Sequence, residues 1–276
     1  MKREIKITVL MEDNLSRQAS LEAKKGLSFL VETDLKRMFF DFGSGSDTLR
    51  NAMRLDAVFG PIDYAILSHG HYDHGSGYPA FVKDGLKSTL YAGPGAFDRK
   101  YVKAGIKYCD QGLSFSRYFL DRAGRDLHEL EGLYKLSKGI YLLQGFPLRN
   151  DYEKLDPQRV KEVKGEMVPD DFNDEIILVL ESEKGLVVLV ACAHRGIVNI
   201  LDTVRENFEQ PIYALVGGLH LAKAEAARIE FTVKALQAHS IKVAALCHCS
   251  GAEIISRMPE FAEEYCVLAC GDCVSF

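Results

Sequence analysis

A chain of 276 residues, 47% of them hydrophobic, is long enough for one large domain or two small ones and for a sizeable core. A net charge of −5 with no long basic run argues against non-specific nucleic-acid binding, which relies on a basic surface. The start Met1-Lys2-Arg3-Glu4-Ile5-Lys6 lacks the apolar stretch of a signal peptide, no run approaches a membrane span, and the seven cysteines are odd in number. The expectation is a soluble cytoplasmic protein with no membrane partner and no disulfide framework.

Residues 5–10 alternate apolar and polar, as a half-buried strand does. Residues 27–31 and 38–42 read as a hairpin turning at Thr33-Asp34-Leu35-Lys36, followed by Asp41-Phe42-Gly43 and a helix to about residue 55. Residues 62–67 form a short buried strand that runs into Ser68-His69-Gly70-His71-Tyr72-Asp73-His74-Gly75. Three of the eight histidines and one carboxylate fall within six residues here, and both types are ligands for zinc and similar divalent ions. In an extended chain His69 and His71 point the same way and reach one ion. Asp73 and His74 are adjacent and better placed for a second. The alternative is a polar surface loop.

A short helix is expected over residues 77–83 and a strand over 89–92. Residues 96–136 show no clear period and read as an elaboration over the site mouth, where Arg99, Lys100, Lys103, Arg122 and Arg125 either meet an anionic substrate or form a solvated face. Residues 139–144 are a strand, and 150–171 read as a charged loop or lid. Residues 174–180 and 186–190 form a second hairpin that ends in Cys192-Ala193-His194. A helix over 197–207, a strand over 212–216 ending in Gly217-Gly218-Leu219-His220, a helix over 223–239 and a strand over 243–246 ending in Cys247-His248-Cys249-Ser250-Gly251 follow.

His194, His220 and His248 thus each stand just past a predicted strand and before a predicted helix. Strand C-termini of a mostly parallel sheet line up along one edge, so the three converge with the His69–His74 loop. His128 and His239 lie in polar or helical surroundings and are taken as bystanders. Cys247, Cys249, Cys270 and Cys273 read either as a thiolate metal centre or as small buried residues.

His-x-His-x-Asp-His after an apolar strand resembles the defining motif of the metallo-β-lactamase fold superfamily. Cys192-Ala193-His194-Arg195-Gly196, Gly217-Gly218-Leu219-His220-Leu221 and His248-Cys249-Ser250-Gly251 resemble its 7,8-dihydropterin-6-methyl-4-(β-D-ribofuranosyl)aminobenzene-5′-phosphate synthase-like branch, over most of the chain. Ser250 stands where that branch has threonine, and no late aspartate replaces His194 or His220 as a bridge between two metals. The resemblance implies a single domain over residues 1–276. Its fold would be α/β, a four-layer αβ/βα sandwich of two mixed sheets flanked by helices.

The resemblance also implies a dinuclear divalent metal site, with two zinc ions expected and manganese or iron as alternatives. His69, His71 and His194 would hold the first ion, and Asp73, His74 and His220 the second. Asp41 would orient a ligand histidine. Asp73 and His248 would be catalytic. His248 would contact substrate oxygens, protonate a leaving group or act as a ligand, and Ser250 would share an anion. The expected reaction is hydrolysis of a small, anionic, phosphate-containing ester by hydroxide generated at the metal. A pterin-linked synthase and a metal-binding redox or sensor protein are the alternatives.

Overall fold

The computed structural model describes residues 4–276; Met1, Lys2 and Arg3, part of the polar start read above, lie outside them. One seven-stranded sheet runs Cys273–Ser275, Ile5–Met11, Ser28–Thr33, Arg37–Phe40, Tyr64–Ile66, Leu90–Ala92 and Leu127–Glu129. A second runs Glu264–Val267, Val243–Leu246, Ile212–Gly217, Gly185–Val190, Ile176–Ser182, Ile140–Gln144 and Leu133–Ser137. Both sheets mix parallel and antiparallel pairs.

Side-chain alternation sorts the core. Ile5, Ile7 and Val9 face the second sheet and pack with Leu178, Val187, Leu189 and Val216. Leu10 faces the other way, toward Phe39, Phe42, Tyr78 and Phe81 under the helices Ser46–Arg54 and Tyr78–Lys83. The strands Ile176–Ser182 and Gly185–Val190 are almost wholly apolar because they are covered on both faces. Their outer face packs against the helices Ile197–Asn207 and Ala226–Ala238. The result is helix, sheet, sheet, helix, the four-layer αβ/βα sandwich expected from the sequence. Among the described residues, no helix is long and apolar enough to cross a membrane.

Two stretches differ from the sequence reading. Residues 96–136 and 150–171, read as an irregular elaboration and a loop, contribute a third, four-stranded sheet in the order Glu166–Pro169, Arg159–Val163, Arg99–Ala104, Lys107–Asp110. Its hairpins turn at Gly105-Ile106 and at Lys164-Gly165, where φ is 53° and 85°. Two successive left-handed residues suit a tight hairpin turn that follows the strand twist. Most of these strand positions are half-buried or exposed and many carry charge, so the apolar alternation that marks a strand is missing.

Candidate metal centre

The polar residues singled out by sequence gather at one edge of the sandwich, past the ends of strands. Parallel pairing of Gly185–Val190, Ile212–Gly217 and Val243–Leu246 sets His194, His220 and His248 side by side. Parallel pairing of Arg37–Phe40 with Tyr64–Ile66 does the same for Asp41 and the Ser68–His71 segment. Asp73 and His74 sit on the one-turn helix Tyr72–Gly75. Asp41, Ala193, His220 and His248 all have left-handed backbones, with φ between 51° and 63°. Non-glycine residues hold that conformation only where the surroundings enforce it.

His69, His71 and His194 offer ring nitrogens that all lie within 4.8 Å of one another, and all three are buried. The hydrogen-bond network assigns their roles. The Ser68 hydroxyl donates to Asp41 Oδ2 at 2.7 Å, so His69 Nδ1, 2.9 Å away, must donate to Ser68. That leaves His69 Nε2 with a free lone pair, 2.9 Å from His71 Nδ1. Two nitrogens bound to one tetrahedral zinc stand roughly 3.3 Å apart, so this spacing already approximates a ligand edge. His194 Nε2 is buried without any partner. Burial, with the neighbouring imidazoles and the positive Arg159, pushes all three histidines well below their usual pKa. They are neutral at pH 7, the state in which imidazole binds metal.

Asp73, His74 and His248 form a second cluster with the same mutual limit of 4.8 Å. His74 Nδ1 donates to Asp41 Oδ2 at 2.7 Å, which leaves Nε2 facing the site. Asp41 is fully buried and also accepts the Ser68 amide at 2.7 Å, so one carboxylate fixes His69 and His74 together. Burial alone would raise the pKa of Asp73, but His74, His248 and Lys25 hold it below the usual carboxylate range. The Lys25 ammonium stands 3.6 Å from Asp73 at the mouth.

His248, expected against substrate, has its ring 5.0 Å from that of His74. Its Nδ1 meets Asp13 at 2.8 Å, and its amide donates to Glu12 at 2.5 Å. Both acids lie in the polar stretch between the strands Ile5–Met11 and Ser28–Thr33, where the sequence names no partner for them. Their signal was an acidic pair at the end of a strand. His220, expected beside Asp73 and His74, groups instead with Cys192 and Cys249. Ser250, expected at an anion, is fully buried; its hydroxyl donates to the Cys247 carbonyl and accepts the Leu219 amide.

A support layer lies behind the loop. Lys100 is buried and bridges Asp170 at 2.9 Å and Asp174 at 3.0 Å. Asp174 in turn accepts the Gly70 amide at 2.7 Å. A side chain at Gly70 would collide with the Ala96 carbonyl, so the loop closes only with glycine there. Phe172 stacks on His194 with ring centroids 4.2 Å apart. Glu175 accepts the amides of His194 and Arg195, and burial raises its pKa to about 7. Of the cations expected at the mouth, Lys100 is tied up in this network, and Arg125 donates to the carbonyls of Ala123 and Leu86. Arg159, whose charge is felt at the centre, has a buried Nε without a hydrogen-bond partner that stands 3.7 Å from an Asp156 carboxylate oxygen.

Because Asp41 grips both His69 (through Ser68) and His74, an Asp41→Ala variant should bind metal ~10–100-fold more weakly, the usual scale for losing such an outer partner. Metal titration against a competing chelator measures this. Unchanged affinity would show that the histidines hold their orientation without Asp41.

Residues 22–94 match the family model described as the metallo-beta-lactamase superfamily. The chain is 30% identical over 290 residues to the 7,8-dihydropterin-6-methyl-4-(beta-D-ribofuranosyl)-aminobenzene-5'-phosphate synthase of Methanocaldococcus jannaschii, covering 99% of this chain and 97% of that one. It is also 30% identical over 239 residues to an uncharacterized protein of the same organism, covering 86% and 88%. A solved structure described as a metal-dependent hydrolase of the beta-lactamase superfamily superposes with a TM-score of 0.85 at 30% identity over 98% of both chains.

Proposed function

Because this chain belongs to the metallo-β-lactamase superfamily, we propose that it is a metal-dependent hydrolase of a small, anionic, phosphate-containing ester. The observation that carries this reading is the pair of adjoining donor clusters, one of three neutral imidazoles and one with a carboxylate. The unpartnered nitrogens and anchored tautomers fit divalent ions of the zinc type, two being the expected number. His69, His71 and His194 would hold the first, and Asp73, His74 and His248 the second. Such ions lower the pKa of water toward neutrality and polarise the oxygen under attack when bound.

The chain's own groups supply the rest. Asp41, Asp13 and Glu175 orient the donors from behind. Arg159, beside Asp156, and Lys25, beside Asp73, would add positive charge near the donors for a phosphate group. Asp73, held ionised, can accept a proton from the attacking water.

Arg159→Ala is therefore expected to raise KM for an anionic substrate by about tenfold or more, since a hydrogen bond to a charged group contributes about 1.5–3 kcal/mol. Metal content should stay the same. An unaltered KM would remove Arg159 from the substrate site.

The test of the function itself is metal analysis of the purified protein, followed by phosphodiester, phosphomonoester, thioester and lactone substrates. Turnover of a phosphate ester that chelation abolishes and zinc restores is the expected result. No metal-dependent hydrolysis across the panel would overturn the reading. A pterin-linked synthase is the second reading, favoured by the name of the M. jannaschii relative that aligns along nearly the whole chain. Condensation of a pterin substrate without hydrolysis of any ester would favour it.

A further inference from the structure

Cys192, His220 and Cys249 arrive from three neighbouring strand ends, those of Gly185–Val190, Ile212–Gly217 and Val243–Leu246. The two sulfurs stand 3.4 Å apart, neither is in a disulfide, and that of Cys192 also lies 3.3 Å from His74 Nε2 at the border with the histidine and carboxylate donors. With a ring nitrogen of His220 they form a set whose members all lie within 4.8 Å of one another. Cys192 is buried, and Cys249 and His220 are partly so. Space for the Cys249 thiol exists because residue 218 is glycine; a Cβ there would stand 2.8 Å from that sulfur.

Two independent observations separate this set from ordinary core cysteines. His220 Nδ1 is buried with no hydrogen-bond partner, an unfavourable state for a polar atom. The His220 backbone is also held left-handed, with φ of 51°, so the ring is kept beside the thiols at a conformational cost. Apolar filling of a core requires neither. Two thiolates on one tetrahedral zinc lie roughly 3.8 Å apart, so the observed pair needs to open by only a few tenths of an ångström.

We propose that Cys192, Cys249 and His220 form a sulfur-ligated site for a thiophilic divalent ion of the zinc type, next to the histidine and carboxylate donors. On binding, each thiol releases its proton to solvent as its sulfur–metal bond forms. Two cysteines and one histidine leave a fourth position open, as in catalytic rather than closed structural zinc sites. Sulfur also biases this part of the centre toward zinc over manganese or magnesium. The site does not depend on the hydrolytic reading.

The experiment is cobalt(II) substitution of the full chain, reduced and kept anaerobic. Cobalt bound to thiolate gives a near-ultraviolet sulfur-to-metal absorption that histidine and carboxylate ligands do not give. The wild type is expected to show it. Cys192→Ser and Cys249→Ser should each lose roughly half of it and the double variant all of it, since two thiolates share one ion. His220→Ala should weaken it. The visible cobalt bands of the histidine cluster should survive in all of these variants. A His69→Ala/His71→Ala variant should keep the sulfur absorption, which separates failure of this site from failure of the hydrolytic centre.

Fully cobalt-loaded wild type without the absorption, or its persistence in the double cysteine variant, would overturn the proposal. Where a variant does not fold, wild-type protein gives an independent reading. X-ray absorption at the cobalt edge should show sulfur in the shell of the bound ion. A shell of nitrogen and oxygen alone also refutes the site.

Discussion

Replacing His69 and His71 together by alanine should remove the metal of the first cluster and reduce kcat/KM far beyond the ~10–100-fold typical of losing one outer partner. The two nitrogens face each other at 2.9 Å. The surrounding framework is apolar and independent of them: the layer between the sheets is built from Ile7, Val9, Leu178, Leu189 and their neighbours. The variant should therefore keep its circular dichroism and melt cooperatively while metal analysis shows the loss. A double variant that retains its full metal complement would show that the donor cluster had been wrongly identified.

The second large effect is expected at Lys100. Burial alone would lower the lysine's pKa, but Asp174 and Asp170 raise it to about 12, so it is charged at every ordinary pH. Lys100→Met removes that charge and leaves two carboxylates buried, 1% and 2% exposed. Breaking a buried ion pair by deleting one partner costs about 3–5 kcal/mol. Urea denaturation should show a loss of that size. The Gly70 amide contact to Asp174 should loosen with it, so metal affinity should fall as well. Adding Asp170→Asn to Lys100→Met should restore part of the stability, because one unpaired charge is then gone. A single variant within about 0.5 kcal/mol of wild type, the range of ordinary surface changes, would mean that water already reaches the cluster.

Much of the scaffold could be read from sequence because its signals are local. Alternation in residues 5–11, the apolar runs of 176–180 and 186–190, and the glycines after strand ends are written within a few residues. His69, His71, Asp73 and His74 were visible for the same reason. His194, His220 and His248 could be found from register alone, since each follows a parallel strand by a few residues. Which donors they join could not. His248 lies by Asp73 and His74 while His220 lies by two thiols, and that depends on side-chain direction at left-handed residues.

Asp13 was invisible as a partner because it meets His248 across 235 residues of chain. Arg159 was hidden in a hairpin without an alternating pattern. Sequence proximity also suggested the wrong cysteine neighbours. Cys247 faces the layer between the sheets, Cys270 packs against Met11 and Leu21, and Cys273 is exposed on an edge strand. The sulfur that meets Cys249 belongs to Cys192, 57 residues earlier.

The contact between Glu12, Asp13 and His248 also orders events in time. A ribosome delivers Asp73 and His74 long before His248, and the strand Cys273–Ser275 that pairs with Ile5–Met11 comes later still. The donors of the first imidazole cluster have all been made once the chain reaches His194, whereas those of the second wait for His248. During synthesis the nascent protein therefore passes through an interval in which every donor of the first cluster exists and those of the second do not. Long-range closure of this kind folds slowly. Metal supplied while the chain is still emerging should fill the two clusters in sequence, and a chain stalled before residue 248 should hold the first ion without the second.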